Sequence, residues 1–242
     1  SSGGLLSIIP SSIRKNNNAL IEYLAHYKIN MATFPPALLA LLPEEKMQSV
    51  KTIVIAGESC KQDIMNTWSK GRRFINQYGP TENTVCAAMH AYQEGDLSTN
   101  IGKPNSNTQL YVLDSKLHPS PIGTPGELHI GGVGLARGYL NQEALTKERF
   151  IDNPFATKED IKKGYTKLYK TGDIVRWLPD GNIEYIGRND FQVKIRGFRI
   201  ELAEIESALL NVEGISQSIV LAKERTLNGE KSPYLVAYYI AE

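Results

Sequence analysis

Residues 51–80 read KTIVIAGESCKQDIMNTWSKGRRFINQYGP, and the alternation inside this stretch decides the fold class. KTIVIA (51–56) is a short apolar run, as expected of a parallel strand buried on both faces, and Gly57 ends it. A helix is predicted from about Lys61 to Trp68. RFINQY (73–78) is then a second short strand, broken at Gly79-Pro80. Upstream, Leu20, Ile21, Leu24 and Tyr27 recur at helical spacing, and the β-rich run from Ile29 to Phe34 stops at Pro35-Pro36. Helix and strand keep alternating to about residue 95, which predicts α/β layers.

Beyond Gly95 the texture changes. Short strands such as TQLYVLD (108–114), GELHIGG (126–132) and IVRWL (174–178) are separated by Pro/Gly turns. Pro179-Asp180-Gly181-Asn182 lies between IVRWL and IEYIG, where Asp-Gly supplies the positive backbone angles of a tight hairpin. After Arg188 come strands VKIR and RIEL, a helix from about Leu202 to Asn211, and strands SIVLA and YLVAYYI. The expected organisation is an α/β layered part over 1–99, a β-rich, distorted-barrel part over 100–189, and the start of a small α+β unit over 190–242.

Composition narrows the function classes. The 242 residues are 41% hydrophobic and 22% charged, as in a globular protein with a substantial core. No apolar run reaches the length of a membrane span, and the first residues lack the basic segment and cleavage site of a signal peptide. No membrane association is expected, and the cytoplasm is the expected compartment. The 27 basic and 26 acidic residues leave a net charge of +1 with no basic block, which argues against nucleic acid and for a small, local anion. Cys60 and Cys86 stand far apart without a metal-ligand pattern and read as packed thiols.

Four segments carry chemistry. Asn76-Gln77-Tyr78-Gly79-Pro80-Thr81-Glu82 joins an aromatic ring, a Gly-Pro turn, a hydroxyl and a carboxylate at a strand end. Such a turn can offer Tyr78 to a flat base, Thr81 to a phosphate oxygen and Glu82 to a hard cation; it also reads as an ordinary Gly-Pro turn. The glycine-dense run from Gly126 to Leu140 suggests a phosphate cradle, but it lacks a Lys-Ser/Thr ending and opens on a strand, so tight barrel turns fit better. Tyr169-Lys170-Thr171-Gly172-Asp173 puts a carboxylate after a glycine at a strand start, where it could accept both hydroxyls of a ribose; Thr-Gly-Asp turns are also common. The charged alternation from Gly187 to Glu206 could be the solvated face of a hairpin.

In this order and at these spacings, the four segments resemble the adenylate-forming superfamily. NQYGPTE, YKTGD and GRNDFQVKIRGFRIELAEIE are similar to the amino-acid adenylation domains of nonribosomal peptide synthetases. Ala203 stands where that family usually has glycine, and Asn189 fills a variable slot. The family's phosphate loop, its amino-group-binding aspartate segment and its C-terminal lysine have no counterpart here. The resemblance therefore implies a chain cut at both ends and inactive by itself.

The resemblance also implies a reaction in two halves. ATP and an amino acid give aminoacyl-AMP, and a carrier protein's phosphopantetheine thiol then takes the aminoacyl group. It places the backbone of Gly57, Glu58 and Ser59 opposite Tyr78 around adenine, with Asn76 at the base's amino edge and Gly79 in the turn. It gives Thr81 to the α-phosphate, Glu82 to Mg2+, Asp173 and Arg188 to the ribose, and Tyr185 to packing nearby. Asp190 would be the hinge, and Lys194 and Arg196 would face the pantetheine tunnel. Thr33, Val54, Ala56, Gln77, Val85 and Cys86 would line the substrate pocket. These residues carry no formal charge, which disfavours charged substrates. The set resembles the family's pockets for aromatic amino acids, tyrosine first, with Gln77 meeting a polar ring substituent, narrowing the pocket for a smaller apolar substrate such as leucine, or turning to the nucleotide side. A peptidyl carrier protein and adjacent synthetase domains are the implied partners. Alternatives are another adenylate-forming ligase, making acyl-CoA or charging a D-alanine carrier, and a non-catalytic nucleotide-binding fragment.

Overall fold

The structure, a computed structural model, describes residues 3–189, 192–195, 198–227 and 230–241. The chain divides into two compact units, Ser1–Gly187 and Arg188–Glu242.

The first unit opens with α1 (Ser11–Arg14), α2 (Asn17–His26), β1 (Met31–Phe34), α3 (Pro36–Leu39), β2 (Thr52–Ala56), α4 (Gln62–Trp68) and β3 (Arg73–Tyr78). Asn16 caps α2, its side chain accepting from the Ala19 amide at 3.2 Å. The strands β1, β2 and β3 are parallel, with Phe34 beside Ile55 and Ile55 beside Asn76. Side chains alternate along a strand, so Phe34, Ile53, Ile55 and Phe74 share one face. They form a core there with Leu20, Leu24, Leu39, Met65 and Trp68 from the helices. Thr33, Val54, Ile75, Ala56 and Gln77 share the other face, because Thr33 is registered on Val54, Val54 on Ile75 and Ala56 on Gln77. Arg72, at the entry to β3, pairs with the Glu44 carboxylate and donates to the Val50 carbonyl at 3.1 Å, locking β3 to the turn before β2.

The unit continues with β4 (Ala88–Tyr92), β5 (Asn100–Pro104), β6 (Thr108–Leu113), β7 (Gly126–Gly132), α5 (Glu143–Arg149), β8 (Phe150–Asp152), α6 (Lys158–Lys163), β9 (Lys167–Trp177) and β10 (Ile183–Arg188). The α/β layering expected to about residue 95 ends at β3, because β4 returns antiparallel beside it. The strands join one sheet in the order β1-β2-β3-β4-β5-β10-β9-β7-β6, with β8 on β9. Residue 99 lies between β4 and β5, which are paired neighbours. A second core gathers Tyr78, Ile101, Leu110, Val112, Leu128, Ile130, Val175 and Ile183.

Two local expectations are corrected. The strand read as starting at Ile174 begins at Lys167, so Thr171-Gly172-Asp173 lies inside β9. There it forms a bulge: the pairing of β7 with β9 slips between Glu127 and His129, and Gly172 takes φ +73°. A glycine in a strand reads as a break, yet here its left-handed conformation helps β9 accommodate two extra residues, and pairing resumes beyond them. In the 179–182 turn only Gly181 has positive φ, +80°. The Gly181 amide bonds the Leu178 carbonyl at 3.0 Å, and the Leu178 amide bonds Asn182 O at 2.8 Å. This is a type I turn closed by a glycine bulge. Asp180 keeps ordinary angles and accepts from the Asn182 amide at 2.9 Å.

The second unit contains a hairpin of β11 (Val193–Ile195) and β12 (Phe198–Ile200), then α7 (Leu202–Leu210) and a long antiparallel ribbon of β13 (Ile215–Leu227) and β14 (Glu230–Ala241). The Glu206 carboxylate on α7 accepts from the Val220 amide at 2.8 Å, tying helix to ribbon. Among the described residues no helix is long and apolar enough to cross a membrane.

Candidate functional site

In α/β sheets, ligands bind off the carboxyl ends of the strands. Here β2 and β3 end in Ala56-Gly57 and Tyr78-Gly79. Asn76 and Tyr78 alternate to one face of β3, and Gln77 to the other. Asn76 donates from its amide to the Asn100 carbonyl at 2.9 Å. The Tyr78 hydroxyl donates to the Asp173 carboxylate across the sheet. Both side chains are deeply buried, at 7% and 4% exposure. The bulge in β9 sets the position of Asp173: Thr171 Oγ1 donates to the Leu128 carbonyl at 2.7 Å and accepts from the Asp173 amide at 3.0 Å. Gly79 is required where the chain doubles back, since a Cβ there would lie 2.5 Å from the Val85 carbonyl oxygen and 2.6 Å from the Ala87 amide nitrogen.

Beyond Pro80, residues Thr81–Asn83 form a single helical turn. Thr81 is exposed and Glu82 half-buried. Thr84 and Val85 both take positive φ, +51° and +76°, and the Cys86 amide bonds the Thr84 carbonyl at 3.0 Å. This is a γ-turn of the strained, positive-φ kind on a β-branched residue. The glycine-dense segment after β7 grips this turn. The Ala136 amide donates to the Glu82 carbonyl at 2.8 Å, Thr84 Oγ1 donates to the Gly134 carbonyl at 2.7 Å, and the Tyr139 hydroxyl donates to Glu82 Oε1 at 2.5 Å. Its glycines permit close backbone approach, as expected of tight turns in a β-rich sheet; a Cβ on Gly134 would fall 2.8 Å from Asn83 Oδ1.

On the opposite face of the parallel strands, Thr33, Val54, Ala56 and Gln77 stand side by side. The Cys86 thiol donates to Gln77 Oε1 at 3.1 Å, and burial raises its pKa above the ordinary thiol value. Cys60 is buried beside Asp63 and Glu58; chiefly burial pushes its thiol up to about 12, as befits a packed, inert cysteine. Val85 is 66% exposed. Ser59 is exposed, while the Glu58 carboxylate accepts from the Ala37 amide at 3.2 Å. Tyr185 packs on the second core, its amide bonding the Thr99 carbonyl at 2.8 Å. Arg188 ends β10. Lys194 lies in β11, its side chain outside the described residues, and Asp190 and Arg196 lie outside them altogether. Among the described residues no cluster of three or more His, Cys, Asp and Glu could hold a metal.

Residues 1–140 match the family described as AMP-binding enzyme. The chain belongs to that family. Its relatives are peptide synthetases: it is 48% identical to bacitracin synthase 3 of Bacillus licheniformis over 92% of its own length, and 43% identical to tyrocidine synthase 1 of Brevibacillus parabrevis over 100%. It spans 3% of the first and 22% of the second. A solved structure, NpsA-ThdA, an artificially fused adenylation-PCP di-domain from Klebsiella oxytoca, superimposes with a TM-score of 0.77 at 26% identity, covering 99% of this chain and 42% of that one. This AMP-binding chain is thus part of an adenylation domain of the nonribosomal peptide synthetase kind, with the α/β architecture expected of it.

Two side chains at the site of this adenylation domain are absent from the residue assignments the motifs suggest: Tyr139 and Tyr169. Tyr139 reaches Glu82 across 57 positions, so no local pattern reports the contact. Its one signal in the sequence is an aromatic residue closing a glycine run, which also reads as packing.

Proposed function

We propose that the adenylation domain to which this chain belongs binds ATP and an amino acid, forms aminoacyl-AMP, and passes the aminoacyl group to a carrier protein's phosphopantetheine thiol. The observation that carries the reading is the buried hydrogen bond from Tyr78, at the end of β3, to Asp173 in the β9 bulge. It brings an aromatic face and a carboxylate together where a nucleoside's base and sugar would lie.

In this reading adenine lies against Tyr78 and the Gly57-Glu58-Ser59 backbone, near Asn76, and the ribose hydroxyls meet Asp173 and Arg188. The amino acid's carboxylate attacks the α-phosphorus and pyrophosphate leaves; the pantetheine thiolate then attacks the aminoacyl carbonyl and AMP leaves. Two anions meet in the first half, so catalysis is largely alignment and neutralisation around phosphorus, with Thr81 at the α-phosphate. Glu82 suits Mg2+: it is one hard oxygen donor, half-buried and braced by Tyr139, and Mg2+ on nucleotides takes few protein carboxylates. Bound there, the ion would neutralise phosphate charge. By the family resemblance, Asp190 would be the hinge between the half-reactions and Lys194 and Arg196 would meet the pantetheine; Asp190, Arg196 and the Lys194 side chain lie outside the described residues. Peptidyl carrier and adjacent synthetase domains are the partners, and the cytoplasm is the compartment.

The amino acid is aromatic, tyrosine first. Thr33, Val54 and Ala56 leave room for a ring, and Cys86 engages Gln77 Oε1, which turns the Gln77 NH2 to donate to a phenol oxygen. Pyrophosphate exchange by the complete adenylation domain, across all proteinogenic amino acids and with Gln77→Ala, tests this. Preference for tyrosine is expected, with the tyrosine-to-phenylalanine ratio falling in the variant; preference for a charged amino acid would overturn it.

A further inference from the structure

Glu82 does not stand alone. Tyr139 gives its hydroxyl proton to Glu82 Oε1 at 2.5 Å, and the hydroxyl of Tyr169 lies 3.3 Å from that of Tyr139. A phenol has one proton to give. The arrangement that satisfies both contacts has Tyr169 donating to Tyr139 and Tyr139 donating to the carboxylate, and a chain polarised in this direction strengthens its last bond. Packing immobilises the rings: Phe150 meets Tyr139 edge-on at 5.6 Å between centroids and Tyr169 at 5.1 Å. The backbone of Tyr139 is anchored too, its amide donating to Thr146 Oγ1 at 2.9 Å. On the other side, the Ala136 amide holds the Glu82 carbonyl, fixing the main chain of the same residue.

We infer that Tyr139, backed by Tyr169, is a positioning residue that fixes the Glu82 carboxylate in the orientation a nucleotide-bound divalent cation requires. The inference rests on the assignment of Glu82 to Mg2+ made above. Groups that orient a metal-binding carboxylate typically change metal affinity by about 10- to 100-fold when removed.

The test uses the complete adenylation domain with a non-hydrolysable ATP analogue, Mn2+ affinity being read by electron paramagnetic resonance. Tyr139→Phe keeps the ring and removes the donor; roughly tenfold weaker Mn2+ binding is expected. The Mg2+ concentration for half-maximal pyrophosphate exchange should rise in step, with the KM for amino acid unchanged. In a Glu82→Gln background the same substitution should add nothing. Tyr169→Phe, which removes only the backing hydroxyl, should give a smaller loss and serves as the probe should Tyr139→Phe fail to fold. Unchanged Mn2+ affinity in both tyrosine variants, with Glu82→Gln clearly weakened, would overturn the inference and leave the Glu82 assignment standing. Unchanged affinity in Glu82→Gln would overturn both. A Tyr139→Phe penalty that persists without the glutamate would also overturn the inference, since the tyrosine would then act through something else.

Discussion

Tyr78→Phe isolates the contact on which the nucleotide reading stands. The substitution keeps the ring for stacking and deletes the hydroxyl that donates to Asp173. Tyr78 and Asp173 are 7% and 4% exposed, so water cannot readily replace the lost donor, and the carboxylate keeps its burial with one partner fewer. Hydrogen bonds to charged groups contribute about 1.5–3 kcal/mol, and the buried setting puts the loss in that range. In a domain of roughly this size each kcal/mol moves Tm by about 2–4 °C, which predicts a fall of about 3–12 °C. Function should split as well. With Asp173 no longer held from the Tyr78 side, the KM for ATP should rise while that for amino acid stays put, because uniform binding of one substrate is what has been weakened. Differential scanning calorimetry and pyrophosphate exchange on the complete domain provide both readouts. A Tm within 1 °C of wild type and an unchanged KM for ATP would refute the reasoning.

Val85→Gly should relieve the positive φ of +76° at that exposed residue. Strain of this kind costs about 1–3 kcal/mol and glycine's added chain entropy returns part of it. Calorimetry should therefore show a slightly higher Tm, and a clear drop would contradict the strain. His129 is buried, with Nδ1 on the Glu127 carbonyl at 3.1 Å and no hydrogen-bond partner on Nε2 among the described residues. Burial chiefly lowers its pKa, so the unfolded chain, with an imidazole near 6.5, binds the proton better. Its contribution to stability is present above that value and lost as pH falls through the window below it. His129→Leu should flatten the decline in Tm between about pH 7 and pH 5, and an equally steep decline would remove His129 as its source.

What the sequence discloses and what it conceals follow from how far each signal reaches. KTIVIA is legible because a strand buried on both faces is largely apolar, and RFINQY because its short Phe-Ile run ends at a Gly-Pro break; the structure returns them as β2 and β3. The strands β4 and β5 escape notice because polar residues such as His90, Asn100 and Lys103 interrupt any run. In β9 the glycine that permits the bulge hides the strand's first half, so the surroundings of Asp173 look like a turn. The side chains of NQYGPTE are legible as chemistry, but the partners that set their geometry are not. Asp173 lies 95 positions from Tyr78, and Tyr139 lies 57 from Glu82. Composition and periodicity carry no information over such distances, and only the folded chain brings both pairs together.

The alternation of side chains along β3 has a practical corollary for redesign. Asn76 and Tyr78 work on one face of the strand, and Gln77 on the other. Exchanging Gln77 together with its registered neighbour Ala56 alters the surface on one side without touching the Tyr78 contact on the other. Removing a single residue between Phe74 and Gln77 is a different operation. The period is two, so the upstream part of β3 would reverse its facing relative to the downstream part. Either the core residue Phe74 is turned out of its helical packing, or Tyr78 and Gln77 trade places. Retargeting by substitution on this strand should therefore be well tolerated, whereas a graft whose junction shifts β3 by one residue should lose both recognition surfaces at once.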